Sequence, residues 1–286
     1  MNNNQISFWG NNQDVNSGLN HINPSVALIS TIIVIIIYFI GSFSVGFFLS
    51  ESQLLTVSLS QLIFLLLPTL IIIQISNLQF KSILRLNYSI ELKQIVAVII
   101  GIIALQPIFA GYSLIQDSLI PENMVEPYLK LKNEIELLYL EILIVNDPYH
   151  LIFALIAGAI LPGLCEETLF RGFLLKNLEN KFGLSLSLII SSIVFSSLHF
   201  NPIQIIPLFI ISVYLGYLAI KSNNLIIPII GHILNNSISI IVINIDNSNE
   251  FENQIESIPI YYAFIMVLFG AIPFIYSLLL LNKRQS

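Results

Sequence analysis

The feature that most constrains this chain is a succession of apolar blocks, each about as long as a helix that crosses a lipid bilayer. A helix needs about 20 apolar residues to span about 30 Å of hydrocarbon. The chain of 286 residues is 56% hydrophobic and only 10% charged, whereas about 25% charged residues is usual in a soluble domain. These charges are too few to cover a globular surface, so the composition predicts an integral membrane protein.

Eight blocks have the required length and composition, and we predict a helix for each. They span residues 26–49, 54–75, 94–116, 150–175, 184–200, 203–220, 225–245 and 259–281. Only helices and closed barrels satisfy every backbone group in lipid, and the alternation with period two that marks a barrel strand is absent. The predicted fold is therefore all-α, a bundle of about eight transmembrane helices.

Residues 122–146 form a segment of a different kind. Leu and Tyr are interleaved there with Lys and Glu, so that the segment is neither uniformly apolar nor uniformly polar. This pattern is typical of an amphipathic helix that lies in the plane of the membrane interface. We predict such a helix between the third and fourth spans.

The distribution of Lys and Arg predicts the orientation of the bundle, because cytoplasmic loops carry an excess of these residues. If the N-terminus lies inside, the following residues are all cytoplasmic: Lys81, Arg85, Lys93, Lys176, Lys181, Lys221, Lys283 and Arg284. The acidic loops 117–149 and 246–258 then lie outside, where only Lys130 and Lys132 break the pattern. We therefore expect both termini to be cytoplasmic.

Several classes of partner are disfavoured by the composition. The net charge is −6 and there is no basic cluster or aromatic stacking platform, so we expect no nucleic-acid partner. The single cysteine, Cys165, excludes an intramolecular disulfide and a Cys-rich metal site. We interpret Cys165 as a packing residue.

The fourth block contains two adjacent carboxylates and an arginine in the sequence LPGLCEETLFRGFLL, residues 161–175. Each charge costs about 2.5–3.5 kcal/mol to insert at the centre of a membrane helix, so such residues usually have a function. Glu167 and Arg171 have the i,i+4 spacing of a helical ion pair. Glu166 points about 100° away from Glu167 and has no such neighbour on its own helix, which makes it a candidate general base or acid. Alternatively, both carboxylates only hold helices together or cap a kink after Pro162.

The fifth block ends in SSIVFSSLHFNP, which places Phe195 and His199 four residues apart. A lone His near a helix end is more often an interfacial residue than a catalyst. However, a tight hairpin is expected near Gly183, and Glu166 lies 17 residues before it while His199 lies 16 residues after it. In antiparallel neighbours with equal rise per residue these two side chains reach nearly the same depth. We therefore expect them to share one water molecule.

The seventh block opens with IIPIIGHILNNSISI, in which His232 and Asn236 share one helix face and Asn235 is turned away. Gly231 removes bulk beside His232 and so allows a close helix approach, and Pro228 is expected to break or bend the start of the helix.

Counted in residues from a turn near Ser222, His232 lies nearer to the membrane surface than Glu166 does. Asn236 matches the depth of Glu166 better. The helix must be offset, or the preceding loop sunken, for all of these side chains to meet. The alternative is that His232 and Asn236 form an interhelical polar clamp.

Together the three segments resemble the CPBP family of intramembrane proteases, the CAAX-protease and bacteriocin-processing group also called Abi. The family pattern is E-E-x-x-x-R, then F-x-x-x-H, then H-x-x-x-N, and it is intact here over about residues 150–245. The resemblance implies a helical membrane fold of usually eight spans around an intramembrane polar cavity. Eukaryotic and archaeal relatives remove the last three residues of prenylated proteins.

The resemblance also implies a role for each motif residue. Glu166 would be the general base, and His199 would orient or polarise the attacking water. His232 and Asn236 would stabilise the oxyanion of the tetrahedral intermediate. The remaining catalytic-site residue, Glu167, would fix the helix and the electrostatics of the cavity together with the structural residues Arg171 and Phe195.

A metal-dependent mechanism is the alternative to a metal-free one. Glu166, His199 and His232 could supply three ligands to zinc, with water in the fourth position. Glu166 would then be a ligand, and only Glu167 would be left to serve as the base. We favour water activated by a glutamate without a metal, and we expect no other cofactor.

The resemblance implies an enzyme of the bacterial plasma membrane that contacts membrane lipid and cleaves a protein or peptide, prenylated or not. CAAX-type C-terminal processing and the maturation of a peptide or bacteriocin both fit. The competing function is a non-catalytic transporter or an immunity or partner-binding protein, because intramembrane charges also mark transport pathways. Transporters of that kind usually show repeats and interrupted helices in both halves of the chain, whereas the polar cluster here occupies only the second half.

Four regions are predicted along the chain. Residues 1–25 form a polar tail, and residues 26–147 contain the N-terminal transmembrane helices with the amphipathic segment. Residues 148–246 form the catalytic helical core. Residues 247–286 contain an external loop and the last transmembrane helix.

Overall fold

The computed structural model of the protein describes residues 20–49, 52–86, 89–145, 147–245 and 259–282, and within them the predicted all-α fold is confirmed. The helices are α1 (Pro24–Phe48), α2 (Gln53–Ile75), α3 (Phe80–Ile83), α4 (Leu92–Ser118), α5 (Glu122–Leu143), α6 (Pro148–Ser197), α7 (Ile205–Ser222), α8 (Ile226–Ile245) and α9 (Tyr261–Asn282). Most of the predicted tail 1–25 and the predicted loop 246–258 lie outside the described residues.

Seven helices of the described chain are long and apolar enough to cross a membrane, compared with the eight that we predicted. The difference lies in α6, whose 50 residues contain both the fourth and the fifth predicted spans. At Gly183 the backbone leaves the helical conformation (φ 71°, ψ 173°), and this is the position of the predicted hairpin. A first arm, 148–182, and a second arm, 184–197, therefore correspond to the two predicted spans.

The two arms of α6 pack against each other. The Ser191 hydroxyl in the second arm donates a hydrogen bond to the Phe170 carbonyl oxygen in the first arm, over 3.2 Å. The rings of Phe170 and Phe195 meet edge to face, with centroids 5.1 Å apart. The chain thus reverses direction at Gly183, whose positive φ is easily adopted only by glycine.

The predicted amphipathic segment is the helix α5, and none of its residues is buried. Contacts near its middle and near its C-terminal end tie it to the bundle. Lys132 forms an ion pair with Asp117 at the end of α4 (2.9 Å), and the Gln53 side chain donates to Glu141 (2.6 Å). Helix α5 therefore lies across one end of the bundle.

In the described residues, the two larger clusters of the hydrophobic core have the polar residues between them, and a third, smaller cluster contains Ala154, Ala159 and Ile240. One cluster joins α1, α2 and α6, and it includes Cys165, whose predicted packing role agrees with its complete burial. The other joins α4, α7 and α8, with α9 packed against it. The polar side chains of α6 reach the second cluster through contacts with α7 and α8.

Three stretches of the described helices have the wider π-helical turn: Gln61–Leu66, Ile156–Ile160 and Thr168–Leu174. Proline explains two of them. Pro68 and Pro162 have no N–H to donate to the carbonyl four residues earlier, so the regular bonding pattern is interrupted just before each one. Such stretches re-aim side chains and are frequent at functional sites. All three contain or adjoin residues of the site.

Candidate active site

The Glu167–Arg171 ion pair predicted from the spacing is formed and is almost completely buried. The Arg171 Nη1 atom lies 2.8 Å from Glu167 Oε1, and the side chains are 1% and 0% exposed. Arg171 Nη2 also donates to the carbonyl oxygen (3.1 Å) and the hydroxyl (2.9 Å) of Ser212 on α7. The guanidinium carbon lies 4.5 Å from the centre of the Phe195 ring. Arg171 therefore links both arms of α6 to α7.

Glu167 also holds His232 of α8. The His232 Nδ1 atom lies 2.8 Å from Glu167 Oε1. Because a carboxylate only accepts hydrogen bonds, Nδ1 carries a proton and donates it to this contact. The other ring nitrogen, Nε2, is then directed towards Glu166, whose Oε2 atom is 4.0 Å away. Glu167 thereby fixes the orientation of the imidazole, as a carboxylate does when it accepts the N–H of a metal-bound or catalytic histidine.

Glu166 has a different environment from its neighbour. Its side chain is 15% exposed and lines a cavity. Its Oε1 atom accepts a hydrogen bond from the side-chain nitrogen of Gln61 on α2, over 3.1 Å. The absence of a partner on its own helix was predicted, whereas the partner on α2 was not.

His199 lies just beyond the end of α6 and lines the same cavity as Glu166, as we expected from their nearly equal distances from Gly183 along the chain. Its Nδ1 atom is 3.0 Å from the Phe195 carbonyl oxygen, so this nitrogen donates and Nε2 is left for another partner. The imidazole also packs on the Phe195 ring, with centroids 4.8 Å apart.

Asn236 lies one helical turn beyond His232 on α8 and is held by the first arm of α6. Its side-chain nitrogen donates to the carbonyl oxygen of Gly158 over 3.0 Å, and this is the carbonyl that Pro162 leaves without an i+4 donor. The Asn235 side chain donates to Asn236 (3.3 Å) and accepts from Gln106 of α4 (3.3 Å). The prediction that Asn235 is turned away was wrong, since it lines the same cavity.

The count of residues from Ser222 was wrong about which residue of the seventh span matches the carboxylates, but one of the two conditions that we stated for their meeting, a sunken preceding loop, is observed. His232, and not Asn236, lies at the level of the two carboxylates, because the turn before α8 is sunken into the protein. Ser222 and Asn224 in that turn are only 5% and 3% exposed. Between them, Asn223 has a left-handed conformation (φ 47°) and accepts a hydrogen bond from Arg85 over 3.2 Å.

Close packing of α6 on α8 completes the arrangement. A Cβ atom on Gly163 would lie 2.7 Å from Ile233 Cγ1, and one on Gly231 would lie 2.8 Å from Leu215 Cδ2. Gly231 therefore permits the close approach that we predicted. Pro228 lies in the first turn of α8, where its missing N–H is not needed, so it does not bend the helix.

A cavity of about 590 Å³ brings most of the predicted residues together. Its polar lining at the inner end consists of Glu166, His199, His232, Asn235, Asn236 and Gln106. Glu167 and Arg171 lie behind this lining, inside the protein. A smaller, mostly apolar cavity of about 160 Å³ on the side of α1 shares Glu166 and His199 with the larger one.

The donor atoms do not fit the predicted zinc alternative. Among the residues that the structure describes, no group of three His, Cys, Asp or Glu side chains is arranged to hold a metal ion. His232 has one nitrogen committed to Glu167, and its other nitrogen is 4.0 Å from Glu166. Glu166, His199 and His232 therefore line one cavity without forming a ligand set.

Sequence reasoning missed Gln61, Gln106 and Asn235. Each is a polar residue within an apolar span, and this signal could have marked them, because polar groups are costly there unless they have partners. Gln61 is 4% exposed, and its side-chain oxygen has no hydrogen-bond partner within the described protein. Only the tertiary structure shows which site residue each of them contacts.

The fold and the site define an integral membrane protein whose buried carboxylate, histidine and amide side chains surround an intramembrane cavity. Residues 148–238 match the model of the family described as Type II CAAX prenyl endopeptidase Rce1-like. The match confirms the predicted relationship to the CPBP/CAAX protease family and supports a membrane protease that acts on a protein or peptide. It covers all three motifs. Comparisons with curated proteins and with solved structures found no match.

Proposed function

We propose that the protein is an intramembrane endopeptidase that hydrolyses a peptide bond with water activated by Glu166. The observation that carries this proposal is the unequal environment of two adjacent carboxylates. Glu167 is enclosed by Arg171 and His232, whereas Glu166 lines the cavity beside the second nitrogen of His232. Two acidic groups with separate environments are the usual basis for separate roles in acid–base chemistry.

In the proposed reaction, Glu166 takes a proton from a water molecule as the water oxygen attacks the carbonyl carbon of the peptide bond. The tetrahedral intermediate then collapses, the C–N bond breaks, and the proton on Glu166 passes to the leaving amine. Gln61 holds the carboxylate of Glu166 in place during these steps through its 3.1 Å hydrogen bond. General-base catalysis of this kind contributes about 10²–10⁴-fold to the rate.

The negative charge that develops on the carbonyl oxygen needs donors within the cavity. His232 supplies Nε2–H when it carries both ring protons, and Glu167 keeps that nitrogen directed into the cavity. Asn236 has one amide hydrogen committed to Gly158 and a second one for the substrate. His199, oriented by the Phe195 carbonyl, contributes its Nε2 to the attacking water.

The substrate is a polypeptide segment that enters the 590 Å³ cavity in an extended conformation. Both CAAX-type C-terminal processing and the maturation of a peptide or bacteriocin are compatible with a cavity of this size. The match to the Rce1-like family favours cleavage near a terminus. The enzyme needs no metal ion in this proposal, because Glu166 serves as the base.

The test is a comparison of protein N- and C-termini in cells that carry the wild type or Glu166→Gln. The matched control is Glu126→Gln, which makes the same change at an exposed position of α5. We expect a small set of termini to disappear with Glu166→Gln and to persist with the control. Identical termini in the wild type and Glu166→Gln would refute the proposed activity.

A further inference from the structure

The cavity extends from the level of Glu166 to one end of the bundle. Its outer walls are the C-terminal half of α4 (106–116), the inner face of α5 (132–143), residues 201–208 before and at the start of α7, and the C-terminal half of α8 (235–243). These segments lie on the same side of the membrane, because α5 connects the end of α4 to the start of α6. The mouth of the cavity is therefore on the α5 side.

Most basic residues lie at the opposite end of the bundle. In the described structure they are Lys81 and Arg85 before α4, Lys93 at its start, Lys176 and Lys181 near the turn at Gly183, and Lys221 at the end of α7. Among the residues that the structure describes, the Lys and Arg residues on the α5 side are Lys130 and Lys132, and Lys132 is paired with Asp117. It also carries the following acidic residues: Asp117, Glu122, Glu126, Glu134, Glu136, Glu141 and Asp147.

Lys and Arg near the ends of spans mark the cytoplasmic side of a membrane protein. The Gly183 side is then cytoplasmic, and the α5 side, with the mouth of the cavity, faces away from the cytoplasm. We infer that the substrate is a segment of an exported or membrane-anchored polypeptide that reaches Glu166 from the non-cytoplasmic side. The cleavage in this inference rests on the proposed function. The side of the membrane from which the substrate enters rests on the charge distribution and on the position of the cavity mouth.

The side of the mouth is testable by cysteine labelling. The natural residue Cys165 is 0% exposed, so Cys165→Ala gives a background without a reactive thiol. Single cysteines are then placed at Glu126 on α5, at Ser239 in the cavity wall, and at Lys181 and Lys221 on the opposite side; all four positions are exposed. Intact cells are treated with a membrane-impermeant maleimide, and a permeabilised sample shows that each site reacts.

We expect labelling at positions 126 and 239 in intact cells, and labelling at 181 and 221 only after permeabilisation. The reverse pattern would overturn the inference, because the cavity would then open to the cytoplasm. This result does not depend on catalysis, so it separates the orientation from the proposed activity.

The substrate class is tested with the termini that depend on Glu166. We expect them to belong to segments on the non-cytoplasmic side of the membrane. Termini of cytosolic proteins, including prenylated ones, would overturn the inferred substrate class while leaving the protease proposal intact. Expected labelling without any termini that depend on Glu166 would overturn the proposed function, and the substrate class with it.

Discussion

Replacement of Glu167 by Gln isolates the structural role of one carboxylate from the catalytic role of its neighbour. In the wild type, Glu167 is the acidic partner of Arg171 at 2.8 Å, and neither side chain is more than 1% exposed. Glu167→Gln leaves the guanidinium charged and without its ion-pair partner inside the protein. Removal of one partner from a buried pair commonly costs about 3–5 kcal/mol.

The other contacts of Arg171 place the expected cost at the low end of that range. The guanidinium keeps its two hydrogen bonds to Ser212 and its position over the Phe195 ring. We therefore expect a loss of about 3 kcal/mol in the free energy of unfolding. At about 2–4 °C per kcal/mol, this corresponds to a fall in Tm of about 6–12 °C. Activity is lost as well, because His232 loses its carboxylate acceptor.

Glu166→Gln should behave in the opposite way. The Glu166 side chain is partly exposed, lies 4.0 Å from His232 Nε2, and has a neutral hydrogen-bond partner in Gln61. We expect the Tm to stay near that of the wild type and turnover to fall by about 10²–10⁴-fold. The double variant Glu167→Gln/Arg171→Leu should recover part of the lost stability, because it no longer buries a guanidinium without its ion-pair partner.

Two measurements on the same samples distinguish the roles of the two carboxylates: thermal melting in detergent and a cleavage assay. The samples are the wild type, Glu166→Gln, Glu167→Gln and the double variant. Glu126→Gln serves as the control for loss of an exposed carboxylate. Suppose that Glu166→Gln melts early while Glu167→Gln folds normally but is inactive. The roles of the two carboxylates would then be reversed, and Glu167 would be the base.

Three further predictions follow from individual contacts. Gln61→Leu removes the hydrogen-bond donor to Glu166, so kcat should fall with little change in KM or Tm. A change confined to KM or Tm would show that Gln61 does not position the base. Gly163→Ala places a Cβ atom 2.7 Å from Ile233 and should lower the free energy of unfolding, measured by melting, by about 1–3 kcal/mol. The control Gly46→Ala meets only an ordinary contact at 3.6 Å and should leave it nearly unchanged. Purified protein should cleave its substrate without stoichiometric zinc; activity that a chelator abolishes and zinc restores would contradict the metal-free mechanism.

The local features of the site could be predicted because helix geometry alone determines them. An i,i+4 spacing brings Glu167 to Arg171 in any α-helix, whatever the rest of the chain does. The predicted proximity of Phe195 and His199 is also found, although His199 lies in the turn just after the helix. The angle of about 100° between adjacent residues likewise separates Glu166 from Glu167. The nearly equal distances of Glu166 and His199 from Gly183 along the chain predicted a shared depth, and both residues line one cavity.

The relations between non-adjacent helices could not be obtained in the same way. Gln61 lies 105 residues before Glu166, and no local pattern connects them. Asn236 was predicted to match the depth of Glu166 from a count of residues that treats all turns as equally deep in the membrane. The turn at Asn223 is instead drawn into the protein, so His232 is the residue that meets the carboxylates. Asn235 reaches the cavity because the cavity is wide enough to include two adjacent positions of α8.

By itself the sequence determined that this chain is a helical membrane protein, where most of its spans lie, and which charged residues are too costly to be accidental. These properties depend on hydrophobic length and local spacing, which are read directly along the chain. The tertiary structure decided which carboxylate is enclosed, which histidine nitrogen faces the cavity, and which residues of α2 and α4 support the site. Those outcomes depend on how far one helix slides along another, which is set by side-chain packing between distant segments such as Gly163 against Ile233.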